Sequence, residues 1–489
     1  MKKRFFSLFI LLLALFLCVG CVATPSQNSD SDTDFVDENS EQSKEENAPN
    51  PQGSPAQDSY LNGVELSKFS IVYSVKQQDY TQRAAEYIQA EIFARTEIEI
   101  PVAKETDVST TDHEIVVGDS QRSISKQLEA DTKHSQFSIL ATDNTIAMEG
   151  DYFVIAAAAY FFVETYIPED NFSAEIPKEV SIHEPIVKEA KNYILLIGDG
   201  MGLYQTLLFD VMKNTEEYGD REKTFYGYYF PAAGFARTWS LSEIYTDSAA
   251  AGTALATGHK TYNGYVGQKG DRGEVPSLTE LAASLGMSTA VMSTEPSTGA
   301  TPAAFSAHAN SRQDSSDILA DQTALKNKSG TIIDCNYDYY TAEKVDLIKE
   351  KIRTTLNTLG QNEKGFFLMY EEAHIDKHCH KNDLTKTFQA VVRFNQAIAT
   401  FMEYAFYHPD TFVLITADHE TGELLPNDDG GYSFHFTDHS SYYVPVFAYG
   451  AGSELFDGKI IENIQIPQTI ATFMGVPKFG DQTKFKPLK

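Results

Sequence analysis

Carboxylate and imidazole side chains border four apolar stretches in residues 192–489 of this 489-residue sequence, and each stretch has the composition of a buried strand. The residues concerned are Asp199, Glu371, Asp376, His380, Asp418, His419 and His439. In open α/β sheets, ligands collect beyond the carboxyl ends of the strands, so side chains at these ends can share one site. A mixture of aspartate and histidine is typical of Zn²⁺ rather than of Ca²⁺ or Mg²⁺, which take oxygen ligands. The sequence therefore predicts a zinc centre.

A serine and an arginine are candidates for chemistry at such a centre. Ser248 opens the small-residue stretch SAAAGTALATG, a predicted helix, so its hydroxyl meets the positive end of the helix dipole. Beside Zn²⁺, a serine hydroxyl loses its proton near neutral pH and becomes a nucleophile. Arg312, in TPAAFSAHANSR, presents two parallel donors to the oxygens of an anion. If no metal ligands were present elsewhere in the sequence, Ser248 would be interpreted as a helix cap and Arg312 as a partner in a surface ion pair.

The charge of the chain limits its partners. Against 39 Lys and Arg stand 69 Asp and Glu, a formal net charge of −30, and no basic run offsets this excess. Such a surface repels the backbone of nucleic acids, so we exclude nucleic acid as a partner. A phosphate-bearing ligand would need a locally positive site, for which bound metal ions are the expected source. Four cysteines exclude a disulfide scaffold, and the sequence leaves open whether Cys335 and Cys379 pair.

Residues 1–21 resemble the signal peptide of a bacterial lipoprotein. A basic start at residues 2–4 precedes 15 apolar residues, fewer than the roughly 20 that a spanning helix needs. We predict cleavage before Cys21, lipid attachment to it, and export to the outer face of the bacterial cell membrane. An ordinary cleaved signal is the alternative. Residues 22–60 contain nine acids, one lysine and almost no aliphatic residues, which predicts a disordered acidic linker.

Residues 61–189 are predicted to form a small α/β domain. Alternating apolar residues from Phe69 to Val75 predict a strand with one buried face, and a helix with an apolar stripe follows. Two further strands flank Asp143 and Asn144, which have the chemistry of a hairpin turn. The stretches EIVVGDSQR and IAMEGDYFVIAAAAYFFVE resemble the accessory domain in front of the catalytic barrel of several glycoside hydrolases. We expect a packing role, or contact with carbohydrate or cell wall.

Six blocks of the second half, taken in order, are similar to the alkaline phosphatases: IGDGMG, TDSAAAGTALATG, ATPAAFSAHANSR, FFLMYEEAHIDKHCH, TADHETG and HSSYYVPVFAYG. The resemblance begins at about residue 192, so we place the catalytic domain at residues 190–489. It implies an α/β fold whose sheet has helices on both faces, with two Zn²⁺ ions and one Mg²⁺ ion. It also implies hydrolysis of small phosphate monoesters through a phosphoserine on Ser248, with phosphate released outside the cell.

By matching positions, the resemblance gives each candidate a role. Three residues would hold the first zinc ion: Asp376, His380 and His439. Four would hold the second: Asp199, Ser248, Asp418 and His419. Three would hold the magnesium ion: Asp199, Thr301 and Glu371. Arg312 would hold the phosphate.

The sequence departs from the family at Gly299, two residues before Thr301. The family commonly has Asp or His there to support the magnesium site, and Lys377 would lack its usual acidic partner. We therefore expect a weaker third site, filled by water or supported by Ser297 or Thr298, and a loose dependence on Mg²⁺. The catalytic block is also short for the family, which is compatible with a monomer or a homodimer and with an open site of broad monoester tolerance.

Other activities fit the sequence less well. A phosphodiesterase needs a contact for a second ester group, and diesterase relatives tend to lack the matched arginine, so Arg312 favours monoesters. A sulfatase needs Pro and Arg at set positions after its nucleophile, and Ala249, Ala250 and Gly252 exclude that pattern. A non-catalytic lipoprotein that binds phosphate, sugar or wall polymer would have no need for the full set of predicted zinc ligands.

Overall fold

The structure, a computed structural model, describes residues 59–128, 134–169, 172–209, 224–336 and 342–489. The predicted signal, Cys21 and nearly all of the predicted linker lie outside these residues. The last linker residue, Tyr60, instead begins the strand Tyr60–Leu61, which pairs with Ser173–Ala174. Burial of Leu61 and the hydrogen bond from Tyr60 N to Phe172 O (2.8 Å) hold this strand in place. The sequence therefore placed the end of the linker slightly too late.

The N-terminal unit contains a sheet of six strands and two helices. In spatial order the strands are Val102–Lys104, Ser70–Tyr73, Glu114–Val117, Thr145–Gly150, Phe137–Ala141 and Ser181–His183. The first four are parallel to one another. The helices Gln78–Thr96 and Val154–Tyr166 pack together against the sheet. A second small core lies around Val116, because successive side chains of a strand point to opposite faces.

The predicted hairpin is present, whereas the predicted one-sided strand is not. Phe137–Ala141 pairs antiparallel with Thr145–Gly150 across the expected turn. The strand near residue 70 spans only Ser70–Tyr73, and both Ile71 and Val72 are buried in it. It lies between two parallel neighbours with a core on each face, so the predicted alternation of buried and exposed residues was wrong. Val75 lies beyond the strand and is exposed.

The second unit is built on a sheet of eight strands flanked by helices, an α/β fold as predicted. In spatial order the strands are Ile332–Cys335, Ser288–Ser293, Phe366–Glu372, Asn192–Gly198, Thr411–Thr416, Val444–Tyr449, Ala232–Arg237 and Ile460–Glu462. The helices are Leu203–Thr206, Ser248–Thr257, Leu278–Ser284, Ala300–Ala304, Ser315–Ser329, Ala342–Leu359, His374–Cys379, Leu384–Tyr407 and Gln465–Phe473. Within the described part of the chain, none of the helices has the length and apolar character needed to cross a bilayer.

The direction of the central strands decides which loops meet. Phe366–Glu372, Asn192–Gly198 and Thr411–Thr416 are parallel neighbours, and every residue in them is buried. Such continuous apolar strands are typical of parallel sheets covered on both faces. Val444–Tyr449 runs antiparallel to Thr411–Thr416. Its amino end therefore lies at the edge where the carboxyl ends of the other three strands lie.

The long helix Leu384–Tyr407 lies between the two units. It packs on one side against the eight-stranded sheet, named the catalytic sheet after the domain predicted at residues 190–489, and on the other against Val154–Tyr166. Phe153 stacks on Phe406, with ring centroids 5.8 Å apart. Arg83 Nε donates to Glu403 Oε1 at 2.6 Å, which adds an ion pair across the same contact. The units thus share one continuous apolar core.

Short two-stranded pairs complete the edge of the catalytic sheet. Glu420–Thr421 pairs antiparallel with His439–Ser440, with Thr421 directly opposite His439. Leu424–Pro426 pairs with Tyr432–Phe434 in the same way. The first of these pairs fixes the loop before Val444–Tyr449 against the loop after Thr411–Thr416.

Candidate metal centre

The carboxyl edge of the catalytic sheet gathers all seven acids and histidines that the sequence singled out. In the register of the sheet, Ile197 lies opposite Glu371 on one side and Thr416 on the other. The residues that follow, Asp199 and Asp418, therefore emerge side by side. The remaining positions come from the short helix after Phe366–Glu372 and from the loop before the antiparallel strand; they are Asp376, His380 and His439.

One group of three ligand atoms consists of Asp376 Oδ1, His380 Nε2 and His439 Nε2, all within 4.8 Å of one another. The two nitrogens lie 3.2 Å apart, and the carboxylate oxygen lies 3.3 Å from His380 Nε2 and 3.7 Å from His439 Nε2. Three ligand atoms that face one point at such distances are arranged as a metal site requires.

The opposite ring nitrogens of these histidines face backbone carbonyls. His380 Nδ1 lies 2.7 Å from Thr437 O, and His439 Nδ1 lies 2.6 Å from Thr246 O. Since a carbonyl oxygen only accepts hydrogen bonds, each Nδ1 carries the proton. The lone pair of each Nε2 is then free for a metal, which is the usual way that protein structure orients histidine ligands.

A second group of three ligand atoms lies beside the first and is fully enclosed. It contains Asp199, Asp418 and His419. His419 Nε2 lies 3.5 Å from Asp199 Oδ1 and 3.3 Å from Asp418 Oδ2. Among the described residues, neither of these carboxylate oxygens makes a hydrogen bond of normal geometry. Buried carboxylate oxygens without a donor are costly, so their number here indicates that a cation belongs among them.

Thr421 links the two groups, and the sequence analysis missed it. Its hydroxyl donates to Asp376 Oδ1 at 2.6 Å and lies 3.2 Å from His419 Nδ1. A hydroxyl that donates to Asp376 must accept from His419, so the proton of His419 is also on Nδ1 and its Nε2 is free. The only signal in the sequence was position, two residues after His419 in TADHETG.

Gly200 allows these elements to approach one another. Its φ of +72° lies in the left-handed region, and a Cβ there would lie 2.8 Å from Asp376 Cα and 2.9 Å from Thr421 Oγ1. Only glycine fits this position without displacing a metal-ligand candidate. Gly200 N also donates to Asp418 Oδ1 at 3.2 Å, so the same backbone orients a second candidate.

Ser248 lies at the enclosed group, with its Oγ 3.2 Å from His419 Nε2. It is the first residue of the helix Ser248–Thr257, but it does not cap that helix. Asp247 is the cap: its Oδ1 accepts from Ala250 N at 2.9 Å. The hydroxyl of Ser248 is therefore not used by the helix and faces the ligand atoms.

Arg312 is held beside Ser248 by the same aspartate. Its guanidinium donates to Asp247 Oδ2 at 3.1 Å, and its backbone N donates to Gly264 O at 2.8 Å. The side chain keeps about a third of its surface exposed. It can therefore meet an anion that enters the site, and its role in the sequence prediction is compatible with this position.

Thr301 and Glu371 form the deepest part of the site. Both are fully buried, and among the described residues Thr301 Oγ1 and Glu371 Oε1 make no hydrogen bond of normal geometry. The other carboxylate oxygen of Glu371 accepts from the hydroxyl of Ser293. Thr301 and Glu371 thus offer buried oxygen atoms of the kind that Mg²⁺ binds.

Lys377 does have an acidic partner, contrary to the expectation drawn from Gly299. Its Nζ lies 2.9 Å from Glu295 Oε2. The family pattern places this carboxylate two residues before Thr301, whereas here it comes from four residues before Gly299. The turn that brings it back cannot be inferred from residue spacing alone.

The electrostatics of the site reflect an excess of enclosed negative charge. Burial, and then the charge of Asp418, raise the pKa of Asp199 well above its usual range. Burial, and then the charge of Glu295, raise the pKa of Glu371 in the same way. Burial and the neighbouring charge of His439 lower the pKa of His419. Carboxylates this close cannot all be ionised unless cations lie between them, so the donor set fits divalent metals.

Three further histidines close to these positions in the sequence lie outside the two groups. His374 Nδ1 lies 3.1 Å from Thr294 Oγ1, and His435 Nε2 lies 3.4 Å from Ser433 Oγ. His378 is buried, but it does not belong to either group of ligand atoms in the described residues. Cys335 and Cys379 are free thiols, which answers the question that the sequence left open.

Comparison with known proteins identifies the second unit. Residues 190–348 and 334–433 match the alkaline phosphatase family. Alkaline phosphatase 3 of Bacillus subtilis (strain 168) is 26% identical over 343 residues, which cover 60% of this chain and 73% of that protein. The family match begins at residue 190, so it lends no support to the resemblance of residues 61–189 to a glycoside hydrolase accessory domain.

Solved structures of alkaline phosphatases are similar to this chain as well. The alkaline phosphatase from the Antarctic bacterium TAB5 has a TM-score of 0.53 and 29% identity, over 59% of this chain and 99% of that chain. A variant of that enzyme with Mg bound in its M3 site has a TM-score of 0.51 and 28% identity, over 60% of this chain and all of that chain.

Proposed function

The chain belongs to the alkaline phosphatase family of phosphate monoester hydrolases, and we propose that it acts through a phosphoserine on Ser248 with two zinc ions and one magnesium ion. The observation that carries the proposal is the position of Ser248 Oγ, 3.2 Å from His419 Nε2 and beside buried carboxylate oxygens that lack hydrogen bonds. A serine whose hydroxyl serves no structural purpose, next to unfilled ligand sets, is suited to be a nucleophile.

The proposed ligands follow the groups described above. The partly exposed set would hold the first zinc ion: Asp376, His380 and His439. The enclosed set would hold the second: Asp199, Asp418, His419 and Ser248. The oxygen-only set would hold the magnesium ion: Asp199, Thr301 and Glu371. When bound, the metals would lower the pKa of the serine hydroxyl and neutralise charge on the reacting oxygens.

The protein itself positions the reacting groups. Ser248 Oγ attacks phosphorus, the bond from phosphorus to the ester oxygen breaks, and the alcohol leaves. Arg312, fixed by Asp247, donates to the phosphate oxygens whose bonds to phosphorus stay intact in the reaction. The backbone N–H groups at the start of the helix Ser248–Thr257 add positive potential where the phosphate carries charge. Water then attacks phosphorus of the phosphoserine, the bond from phosphorus to Ser248 Oγ breaks, phosphate is released, and the free serine is regenerated.

Substrate choice and metal dependence test this function together. The purified protein is assayed with p-nitrophenyl phosphate and with bis(p-nitrophenyl) phosphate, before and after a chelator. We expect rapid hydrolysis of the monoester only, loss of activity with the chelator, recovery with Zn²⁺ and Mg²⁺, and phosphate on Ser248 after acid quenching. A preference for the diester would indicate a phosphodiesterase. No hydrolysis with both metals supplied would indicate a binding protein.

We also propose that the protein is exported and lipid-anchored at the outer face of a bacterial membrane through Cys21. The basic start, the apolar stretch of residues 5–19 and the cysteine at position 21 support this proposal. In a bacterial host, labelled fatty acid should enter the wild-type protein but not the Cys21→Ala variant, which should be released from the membrane fraction. Equal labelling of both proteins would contradict the proposal.

For residues 61–189 we propose a packing role. The support is the contact of Val154–Tyr166 with Leu384–Tyr407 and the ion pair of Arg83 with Glu403. Contact with carbohydrate or cell wall is the alternative, and a pull-down with purified wall polymer distinguishes the two. Binding that disappears when residues 59–189 are absent would favour the alternative.

A further inference from the structure

The space above Gly299 is filled by the side chain of another residue. A Cβ on Gly299 would lie 1.8 Å from Glu295 Oε1 and 2.1 Å from Glu295 Cδ. These distances are far below any real contact, so the two positions cannot both carry a side chain in this conformation. The carboxylate of Glu295 therefore occupies the volume in which a side chain at residue 299 would begin.

The turn that returns Glu295 to this place is well fixed. Glu295 follows the strand Ser288–Ser293; its backbone N donates to Ser293 Oγ at 3.0 Å, and its carbonyl accepts from Asn336 N at 2.7 Å. The hydroxyl of Ser293 in turn donates to Glu371. One serine thus connects the backbone of Glu295 to a proposed magnesium ligand.

The two oxygens of the Glu295 carboxylate have different surroundings. Oε2 is paired with Lys377 Nζ at 2.9 Å, while Oε1, over Gly299, makes no hydrogen bond among the described residues. The side chain is only 13% exposed. A mostly buried, oriented carboxylate oxygen without a protein donor is suited to a cation or to the water molecules around one.

Two further buried oxygen atoms lie in the same region. Thr301 Oγ1 and Glu371 Oε1 belong to side chains with no exposed surface, and neither makes a hydrogen bond of normal geometry within the described residues. Ser293 Oγ, which accepts from Glu295 N and donates to Glu371, connects Glu295 to this region. The region thus offers only oxygen donors, which suits Mg²⁺ better than Zn²⁺.

We infer that Glu295 is a positioning residue of the third metal site and supplies the carboxylate that Gly299 lacks. The inference rests on the proposed function, because it concerns the magnesium site named there. It reverses the expectation of a weak third site: the carboxylate is present, Lys377 orients it, and Mg²⁺ should be retained. It also implies that the supporting carboxylate can come from residue 295 or from residue 299 but not from both, since only one side chain fits in this volume.

Metal content, measured by elemental analysis after dialysis against a series of free Mg²⁺ concentrations, tests the inference without relying on activity. We expect two zinc ions and one magnesium ion per wild-type chain. Glu295→Gln keeps the shape of the side chain and removes its charge, so its apparent affinity for Mg²⁺ should fall about 10- to 100-fold, the range seen when a group that supports a metal ligand is lost. Zinc content should not change.

A compensating pair of substitutions separates this role from a merely structural one. Gly299→Asp alone should lower Mg²⁺ binding, because the new side chain meets Glu295. Glu295→Ala alone should lower it as well, whereas Glu295→Ala with Gly299→Asp should recover most of the wild-type affinity. Glu363→Gln, an exposed acid elsewhere on the same unit, is the matched control and should bind both metals as the wild type does.

The outcomes distinguish this inference from the proposed function. Wild-type Mg²⁺ affinity in Glu295→Gln, or no recovery in the double variant, overturns the role of Glu295. Two zinc ions and no magnesium in the wild type also overturn it, while the zinc-dependent activity stands. No zinc and no hydrolysis in the wild type overturn the proposed function itself.

Discussion

The two large sheets of this protein both place polar residues at the carboxyl ends of parallel strands, yet they treat these residues differently. In the N-terminal sheet, Glu105 follows the strand Val102–Lys104. Its Oε1 accepts from Val75 N at 2.9 Å, and its Oε2 accepts from Ser120 Oγ at 2.8 Å and from Gln121 N at 2.7 Å. Every oxygen of this carboxylate therefore has a donor from the protein itself.

At the equivalent edge of the catalytic sheet, the carboxylates lack such donors. One oxygen each of Asp199, Glu371 and Asp418 makes no hydrogen bond of normal geometry among the described residues, although all three are buried. Burial and the charge of Asp418 raise the pKa of Asp199. Burial also opposes ionisation of Glu105, but hydrogen bonds from Gln121 and Val75 lower its pKa below the usual value.

The comparison shows that position at a strand end does not by itself make a site. Both edges carry acids where a ligand of an α/β sheet would bind. Only at the catalytic edge do carboxylate oxygens remain without hydrogen bonds, so only there can a cation satisfy them. The first edge contributes to stability, and the second retains unsatisfied charge that a metal can use.

Removing the nucleophile should have the largest effect. Ser248→Ala is expected to lower kcat for a phosphate monoester by about 1,000-fold or more, as the loss of a covalent nucleophile does elsewhere. Zinc and magnesium should remain bound, because the other ligands of both groups are unchanged. Steady-state kinetics and elemental analysis of the same preparation measure both. A variant that kept the wild-type rate would show that Ser248 is not the nucleophile.

Removing the arginine beside it should cost less. Arg312→Ala is expected to lower kcat/KM by about 10- to 100-fold, since a hydrogen bond to a charged group contributes about 1.5–3 kcal/mol. Asp247→Asn is the control, because it weakens the support of Arg312 but keeps the guanidinium. It should show a smaller loss, mainly in KM. A larger loss for Asp247→Asn than for Arg312→Ala would mean that the aspartate matters chiefly for the helix.

The residues of the catalytic edge could be predicted because a parallel sheet brings the ends of separate strands together. Asp199 and Asp418 lie 219 positions apart in the chain, yet each lies within two residues of the end of a buried strand, and such strands are recognisable from their apolar runs. His439 borders an apolar strand too, but it precedes that strand instead of following it. It reaches the site since Val444–Tyr449 runs antiparallel.

Other features depend on contacts that sequence spacing does not encode. Glu295 reaches the volume above Gly299 through a turn, so its replacement of a missing side chain is visible only in three dimensions. Thr421 connects the two ligand groups through its hydroxyl, a role that its type and position alone do not reveal. The strand Ser70–Tyr73 was misjudged because both of its faces are covered, which depends on the rest of the sheet.

A substitution at Glu105, on the edge of the N-terminal sheet whose carboxylate oxygens all have donors, should change the stability of the protein and not its activity. Glu105→Gln removes the charge that all three donors face and replaces one acceptor oxygen by an amide nitrogen, so we expect a loss of about 1–3 kcal/mol in the free energy of unfolding at pH 7. Because the pKa of Glu105 is lowered on folding, this difference is present above the usual pKa of a glutamate and fades as the pH falls below it. Urea unfolding at pH 7 and at pH 4 measures the change. The value of kcat for the folded variant should equal that of the wild type, and a fall in kcat would remove the contrast between the two edges.

A paired cluster inside the catalytic unit gives the smallest expected effect and the sharpest form of the comparison. His308 Nε2 lies 3.4 Å from Glu280 Oε2 and 3.1 Å from Val275 O, and Nδ1 lies 3.7 Å from Asp321 Oδ2. Burial disfavours the charged ring, but the contact with Glu280 outweighs burial and raises the pKa of His308 to about 9.

His308 lies in the same unit as the metal centre, but its ring is already paired with protein groups. If such pairing decides whether a residue serves stability or catalysis, a change at His308 should affect only stability. A group whose pKa is raised on folding stabilises fully below its unfolded pKa of about 6.5, and this contribution fades as the pH rises through the folded value. At pH 6, His308→Gln should therefore lower the free energy of unfolding by about 1 kcal/mol, measured by urea unfolding. Above pH 10, the free energy of unfolding of the variant should equal that of the wild type. A deficit that persists at pH 10 would mean that the ring contributes through packing, and a change in kcat would mean that a satisfied pair in this unit can still influence the site.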